Sequence, residues 1–229
     1  MARMLLIAVA LVAATLAGRA SAQTPPDATE LAAYRGLHAA AASGDVAAIR
    51  RLAGAGEKLD ARDGNGRTPL HVAAFRGQAE AIRALIAAGA NPGLFDNQRY
   101  DAVTIVSVTD DVPALKALLA SGASAALTTS RYDGTALIAA AHLGHDGIVR
   151  ELIKAKAPLD HVNNLGWTAL IEAVILGDGG KRHVETVRAL LAAGANRNLA
   201  DGQRVTPLQH ARARGYAAMV TLLEADAPR

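Results

Sequence analysis

Residues Thr68 to Asn91 read TPLHVAAFRGQAEAIRALIAAGAN, and the same pattern returns, with substitutions, at spacings of 33 to 38 residues. Aligned on the leucine after Thr-Pro, it passes through Leu70, Val103, Leu137, Leu170 and Leu208. Aligned on its second apolar stretch, it passes through Leu52, Leu85, Leu118, Leu152, Leu190 and Leu223, so six units are visible. A period of this length marks a supersecondary unit that cannot bury its apolar face alone and must stack on its neighbours. Glycine recurs between the two apolar stretches at Gly44, Gly77, Gly144, Gly177 and Gly215, and after the second at Gly56, Gly89, Gly122 and Gly194. A glycine repeated at a helix end suits a left-handed residue, a conformation that a Cβ disfavours.

The TPLH-type opening, short inner helix, glycine turn, longer outer helix and Gly-Ala-Asn exit resemble the ankyrin repeat. The resemblance covers nearly all of residues 30–229. It implies an all-α solenoid of about six helix-turn-helix units with short β-hairpin fingers between them. It also implies a protein-binding module without chemistry of its own, so that function has to be argued from surfaces. The segment GWTALIEAVILGDGGKRHVETVRALLAAGAN, Gly166 to Asn196, resembles the version of the repeat found in exported bacterial ankyrin proteins.

The N-terminus agrees with export. An apolar run from Leu5 to Gly18 is followed by Arg19 and the small residues Ala20-Ser21-Ala22, which predicts a secretory leader over residues 1–22, cleaved before Gln23. The run is shorter than the ~20 residues of a comfortable membrane span, so no stable membrane insertion is expected after cleavage. The expected address is the periplasm. Losing Arg3 and Arg19 takes the 24 basic residues to 22 against 21 acidic, a net charge of +1, and nucleic acid is not an expected partner. The absence of cysteine excludes a disulfide framework and a cysteine nucleophile. Aromatics make up 3% of a chain that is 51% hydrophobic, so the stacked core is aliphatic and alanine-rich.

Residues 23–29, QTPPDAT, read as a linker, and the units run over 30–62, 63–95, 96–129, 130–162, 163–200 and 201–229. The first lacks a Thr-Pro opening, as suits a cap with one face toward water. Asp, Ser or Asn opens each later unit and suits a turn closed by its own side chain. The third departs furthest: Asp101-Ala-Val-Thr104 replaces Thr-Pro-Leu-His, Asp110 replaces the glycine, and VTIVSVT (Val103 to Thr109) has strand propensity. Because Leu115, Leu118 and Leu119 keep register, stacking is expected to hold this stretch helical. Asp111 before Pro113 reads as the cap of the next helix. The fifth unit carries five extra residues, read as a glycine-rich basic excursion from one rim over Gly177 to His183.

No acid, base and nucleophile cluster at mutual spacing, so no catalytic residues, cofactor or metal are expected. His71 and His38 read as turn-holding scaffold, and Thr68, Thr135, Thr168 and Thr206 as helix caps. His142 and His145 are separated by a helix-ending glycine, which weakens them as a metal pair. Ankyrin fingers place the residues before the conserved threonine along the concave side. Here these include Arg67, Arg99, Tyr100, Arg131, Tyr132, Leu165, Trp167 and Arg204. The ends of the inner helices add Phe75, Arg76, His142 and Leu176. Arginine and aromatic side chains are the usual binding anchors, so an unidentified partner protein is expected on this face of a monomer. Two alternatives stay open. Lys181 and Arg182 in the glycine-rich segment would suit an envelope-associated protein holding anionic surfaces, and a metal-dependent periplasmic enzyme is the other.

Overall fold

The computed structural model describes residues 23–225; the expected leader lies outside them. Thirteen helices occur among the described residues. They are α1 (Ala28–Ala33), α2 (Gly36–Ser43), α3 (Val46–Gly54), α4 (Pro69–Phe75), α5 (Ala79–Ala87), α6 (Ala102–Val108), α7 (Val112–Ala120), α8 (Ala136–His142), α9 (Asp146–Lys154), α10 (Ala169–Ile175), α11 (Lys181–Ala192), α12 (Pro207–Ala213) and α13 (Ala217–Glu224). Six antiparallel pairs, α2/α3 to α12/α13, stack in two layers, inner helices on inner and outer on outer. Leu70, Val103, Leu137 and Leu170 of the inner layer and Leu85, Leu118, Leu152 and Leu190 of the outer are buried in one continuous core. None of the described helices is long and apolar enough to cross a membrane.

The caps explain why such short helices hold. Thr68, Thr135, Thr168 and Thr206 each accept a hydrogen bond from the N–H three residues on, and Asp101 and Asp111 do the same for α6 and α7. Such a cap contributes about 1 kcal/mol, which matters in a helix of two turns. The strand-prone stretch is therefore helix α6, capped by Asp101 and packed on both sides. In the first unit, which has no Thr-Pro, Glu57 Oε1 accepts from Leu37 N at 2.8 Å and caps α2 from outside.

The fingers are tight turns, and the β-hairpins implied by the resemblance are reduced, among the described residues, to one isolated antiparallel bridge between Thr129 and Gly134. Each turn is closed by its opening side chain. Asp63 Oδ1 accepts from Asn65 N and Arg67 N, Asp96 Oδ1 from Gln98 N and Tyr100 N, and Asn163 Oδ1 from Leu165 N and Trp167 N; Ser130 Oγ accepts from Tyr132 N. Adjacent fingers are tied by Asn97 N to Asn65 O, Ser130 N to Arg99 O and Asn164 N to Tyr132 O, at 2.8–3.0 Å. The side chain supplies what a longer strand pair would otherwise provide, so a few residues suffice.

Two stretches differ from the sequence reading. Residues 23–29 do not hang free. Asp27 and Glu30 form a reciprocal capping box that starts α1, Thr24 N donates to Gln98 Oε1, Gln98 Nε2 donates to Thr24 Oγ1, and the Gln23 side chain is buried. The five extra residues of the fifth unit make no excursion either. Three of them lengthen α11 to 12 residues against nine in its siblings α5, α7 and α9, the other two lengthen the turn before it, and the added helical turn folds back over the preceding unit. His183 Nε2 lies 3.0 Å from His142 O, and its ring covers Gly144, where a Cβ would come within 2.9 Å.

Candidate concave binding groove

The inner layer and the fingers enclose one cavity of about 930 Å³ over units three to five. One wall comes from the fingers, with Tyr100, Arg131, Tyr132, Leu165 and Trp167. The other comes from α6, α8 and α10, with Val108, Ile138, Ala139, His142, Leu143 and Leu176. Leu143 and Leu165 are exposed although large and apolar, and Tyr132 and Trp167 are partly covered. Apolar side chains held open by a hydrogen-bonded frame constitute a surface that gains by being covered.

The sequence-predicted residues divide into three groups. Tyr132, Arg131, Leu165, Trp167, His142 and Leu176 do line the cavity. Arg131 lies over the Tyr132 ring, its Cζ 5.1 Å from the centroid and its Nη2 donating to the Tyr132 hydroxyl. Arg99 and Arg204 are exposed on finger tips at φ 65° and 62°, where Gly66 and Gly166 stand in sister fingers. Phe75 and Arg76 end α4 outside the cavity, and Lys181 is exposed at the start of α11. Arg99 pairs with Asp133 at 3.2 Å.

Arg67 and Tyr100 are buried, and Arg182, though exposed, is paired within the chain, a correction to the sequence reading. Arg67 is 1% exposed: its Nη2 meets Glu30 at 2.5 Å, its Nε meets Asp63 at 2.7 Å, and its Nη1 donates to Thr24 O. Burial pushes the Asp63 carboxyl up, but the hydrogen bonds from Tyr34 and Arg67 outweigh it and hold it below the usual value. Burial also disfavours charge on Arg67, and its bonds to Asp63 and Glu30 more than compensate. Tyr100, 7% exposed, lines the cavity only as a member of the core. Arg182 Nη2 meets Asp110 at 2.6 Å and its Nε meets Asp146 at 3.5 Å, across two preceding units.

The polar residues expected to be scaffold have built-in partners. His71 Nδ1 accepts from Thr68 N, which leaves the ring proton on Nε2, facing the carbonyls of Leu94 and Tyr100 at 3.0 and 3.1 Å. His38 Nε2 lies 3.0 Å from Arg67 O, one unit earlier in the same role. His145 Nδ1 lies 2.9 Å from Ser107 O, whereas His142 Nδ1 lies 3.3 Å from Glu172 Oε2, so the two rings face different partners. Among the described residues no group of three or more His, Asp or Glu is placed to hold a metal.

Glu172, Gln23 and His183 are among the cavity residues that escaped the sequence reading. Glu172 lies at the cavity wall, 5% exposed, with Asn163 Nδ2 donating to its Oε1 at 2.8 Å. A signal existed: in the same register the second to fourth units have Val72, Ile105 and Ala139, so a carboxylate there is out of pattern. Gln23 enters from the N-terminal segment and His183 from the added turn of α11, and both depend on folding back that no local pattern announces.

Comparison with known proteins agrees with this architecture. Two family profiles match: Ankyrin repeats (3 copies) over residues 103–201 and Ankyrin repeats (many copies) over residues 37–86. The putative ankyrin repeat protein YahD of Escherichia coli is 39% identical over 95 residues, which are 41% of this chain and 47% of YahD, so the match spans about half of that relative. The crystal structure of an ankyrin repeat domain from Acinetobacter baumannii superposes with a TM-score of 0.75 at 45% identity, covering 82% of this chain and 95% of that one. The ankyrin repeat domain of Bcl-3, described as a member of the IkappaB protein family, superposes with a TM-score of 0.74 at 31% identity, covering 85% and 88%.

Proposed function

This chain belongs to the ankyrin-repeat family, whose domains are generally protein–protein interaction scaffolds, and from that premise we propose a non-catalytic scaffold that grips a partner protein in the groove over units three to five. The observation that carries this reading is the cavity of about 930 Å³, with Tyr132, Leu165 and Trp167 on one wall and Leu143 and Leu176 on the other. The fingers carrying the anchors are fixed by their Asx turns and by finger-to-finger hydrogen bonds, so little ordering entropy remains to be lost on binding.

The periplasm is the proposed compartment, on the leader-like residues 1–22. N-terminal sequencing of the protein from a periplasmic fraction is expected to begin at Gln23; a full-length membrane-bound form contradicts export. Partner capture from the same fraction tests the groove. Truncating Tyr132 and Trp167 to alanine is expected to abolish capture while the stack stays folded, since hot-spot truncations typically cost ~2 kcal/mol or more each. Tyr100 is left intact because it belongs to the core.

The envelope-surface alternative is less favoured, because one of its two cations, Arg182, already pairs with Asp110 and Asp146.

A further inference from the structure

The groove contains an acidic side chain where the sister units in its register are apolar. The Glu172 carboxylate is buried at a register where three earlier units have apolar side chains, and burying a carboxylate costs free energy unless a cation and hydrogen bonds compensate. Its Oε1 accepts from the Asn163 amide, and its Oε2 faces only the His142 ring at 3.3 Å. Among the described residues, no lysine or arginine lies within ion-pair distance of it. Arg131, the one lysine or arginine of the lining, is engaged with Tyr132.

A second, independent observation lies in the same cavity. The Gln23 side chain, 9% exposed, lines it with neither amide atom hydrogen-bonded. A buried amide without partners is unusual, and here it leaves an acceptor and a donor unused in a residue of the cavity lining. Trp167, on the finger wall, adds an aromatic face of the kind that attracts cations.

We propose that the groove is a socket for one basic side chain, lysine or arginine, presented by the partner, with its cation received by Glu172 and the Gln23 carbonyl and its stem lying against Trp167 and Leu165. This names the chemistry of the partner and rests on the scaffold reading above. An ammonium or guanidinium has several N–H donors to satisfy at once, which matches a carboxylate oxygen and an amide oxygen lining one apolar cavity. An acidic side chain would meet Glu172 instead, and an aliphatic one would leave the Gln23 amide unpaired and Glu172 Oε2 with His142 alone.

Trp167 is the sole tryptophan of the chain, so its emission reports this wall directly. The probe is a blocked pentapeptide, acetyl-Gly-Ser-Arg-Ser-Gly-amide, with Lys, Leu and Glu versions at the central position, titrated into the purified full-length chain. The arginine and lysine peptides are expected to shift Trp167 emission saturably, with at least tenfold higher affinity than the leucine and glutamate peptides. Glu172→Gln, which keeps the shape and the Asn163 contact, is expected to erase that preference with an unchanged circular dichroism spectrum. Equal affinities, a preference for glutamate, no response to any peptide, or a basic preference that survives in Glu172→Gln each overturn the socket. The scaffold reading is judged separately: capture that is lost in the Tyr132 and Trp167 truncation but retained in Glu172→Gln supports the groove and overturns the socket alone.

Discussion

Arg182 and Asp110, 72 residues apart in sequence, meet at 2.6 Å on the surface of the stack. The contact ties the extra turn of α11 to the junction between α6 and α7, and it explains an irregularity of the third unit. Asp110 occupies the left-handed turn, φ 59°, that sister units give to Gly77 and Gly144. Its carboxylate receives Arg182 where glycine would receive nothing.

Both partners are partly exposed, so the pair is expected to contribute ~1 kcal/mol or less. Asp110→Gly relieves the left-handed Cβ by a similar amount and should leave stability within ~1 kcal/mol of wild type. Arg182→Ala should cost ~0.5–1 kcal/mol in the wild-type chain and less in the Asp110→Gly background. Denaturant titration of the four proteins checks this; a loss above ~2 kcal/mol for Asp110→Gly would show that the aspartate has a larger structural role.

Lys156 ends the outer helix of the fourth unit at φ 60°, the position taken by Gly89, Gly122 and Gly194. A side chain with a Cβ is disfavoured in that left-handed conformation. Lys156→Gly removes the Cβ penalty but adds unfolded-state entropy, so the expected outcome is neutral to stabilising by up to ~1 kcal/mol. A shift of the denaturation midpoint to lower denaturant would contradict it.

Burial holds the His71 imidazole below its ordinary value, opposed only in part by Asp96 and the carbonyls of Tyr100 and Leu94. The unfolded chain, with a histidine near pH 6.5, then takes up the proton first. The stability contribution is thus complete above about pH 6.5 and is lost as pH falls toward the folded value. The melting temperature should drop between pH 7 and 5.5. His71→Gln is the informative control, because Gln209 fills the same register in the sixth unit and accepts from Thr206 N at 2.8 Å. That variant should lose part of the slope; an unchanged slope would assign it to other groups.

The sequence was most informative where a residue's role repeats. Leu85, Leu118, Leu152 and Leu190 recur in phase and are all buried, and Asp63, Asp96, Ser130 and Asn163 recur as turn-closing side chains. Repetition multiplies a weak local signal until it decides the fold. The groove was legible in part for the same reason: Tyr132, Leu165 and Trp167 follow from finger phase alone. What escaped involves contacts made once. Arg67 reads like any other finger arginine, and only the return of Thr24 and Glu30 to it, 43 and 37 residues away, turns it inward. Gly177-Asp-Gly-Gly180 reads as open loop, since nothing local announces that His183 will cover Gly144. The α1 helix is different, because Asp27-x-x-Glu30 is a capping-box signature that the linker reading passed over.

The central claim is that a partner lies in the groove between fingers and inner helices, and site-specific photocrosslinking tests it most directly. A benzoylphenylalanine placed at Leu165, at the cavity wall, is compared in living cells with one at Arg188, an exposed outer-helix position of the same unit that does not line the cavity. The account predicts a discrete crosslinked product from Leu165 that is absent from Arg188 and disappears when Trp167 is truncated to alanine. Crosslinking of equal strength from both positions, or from Arg188 alone, would contradict it.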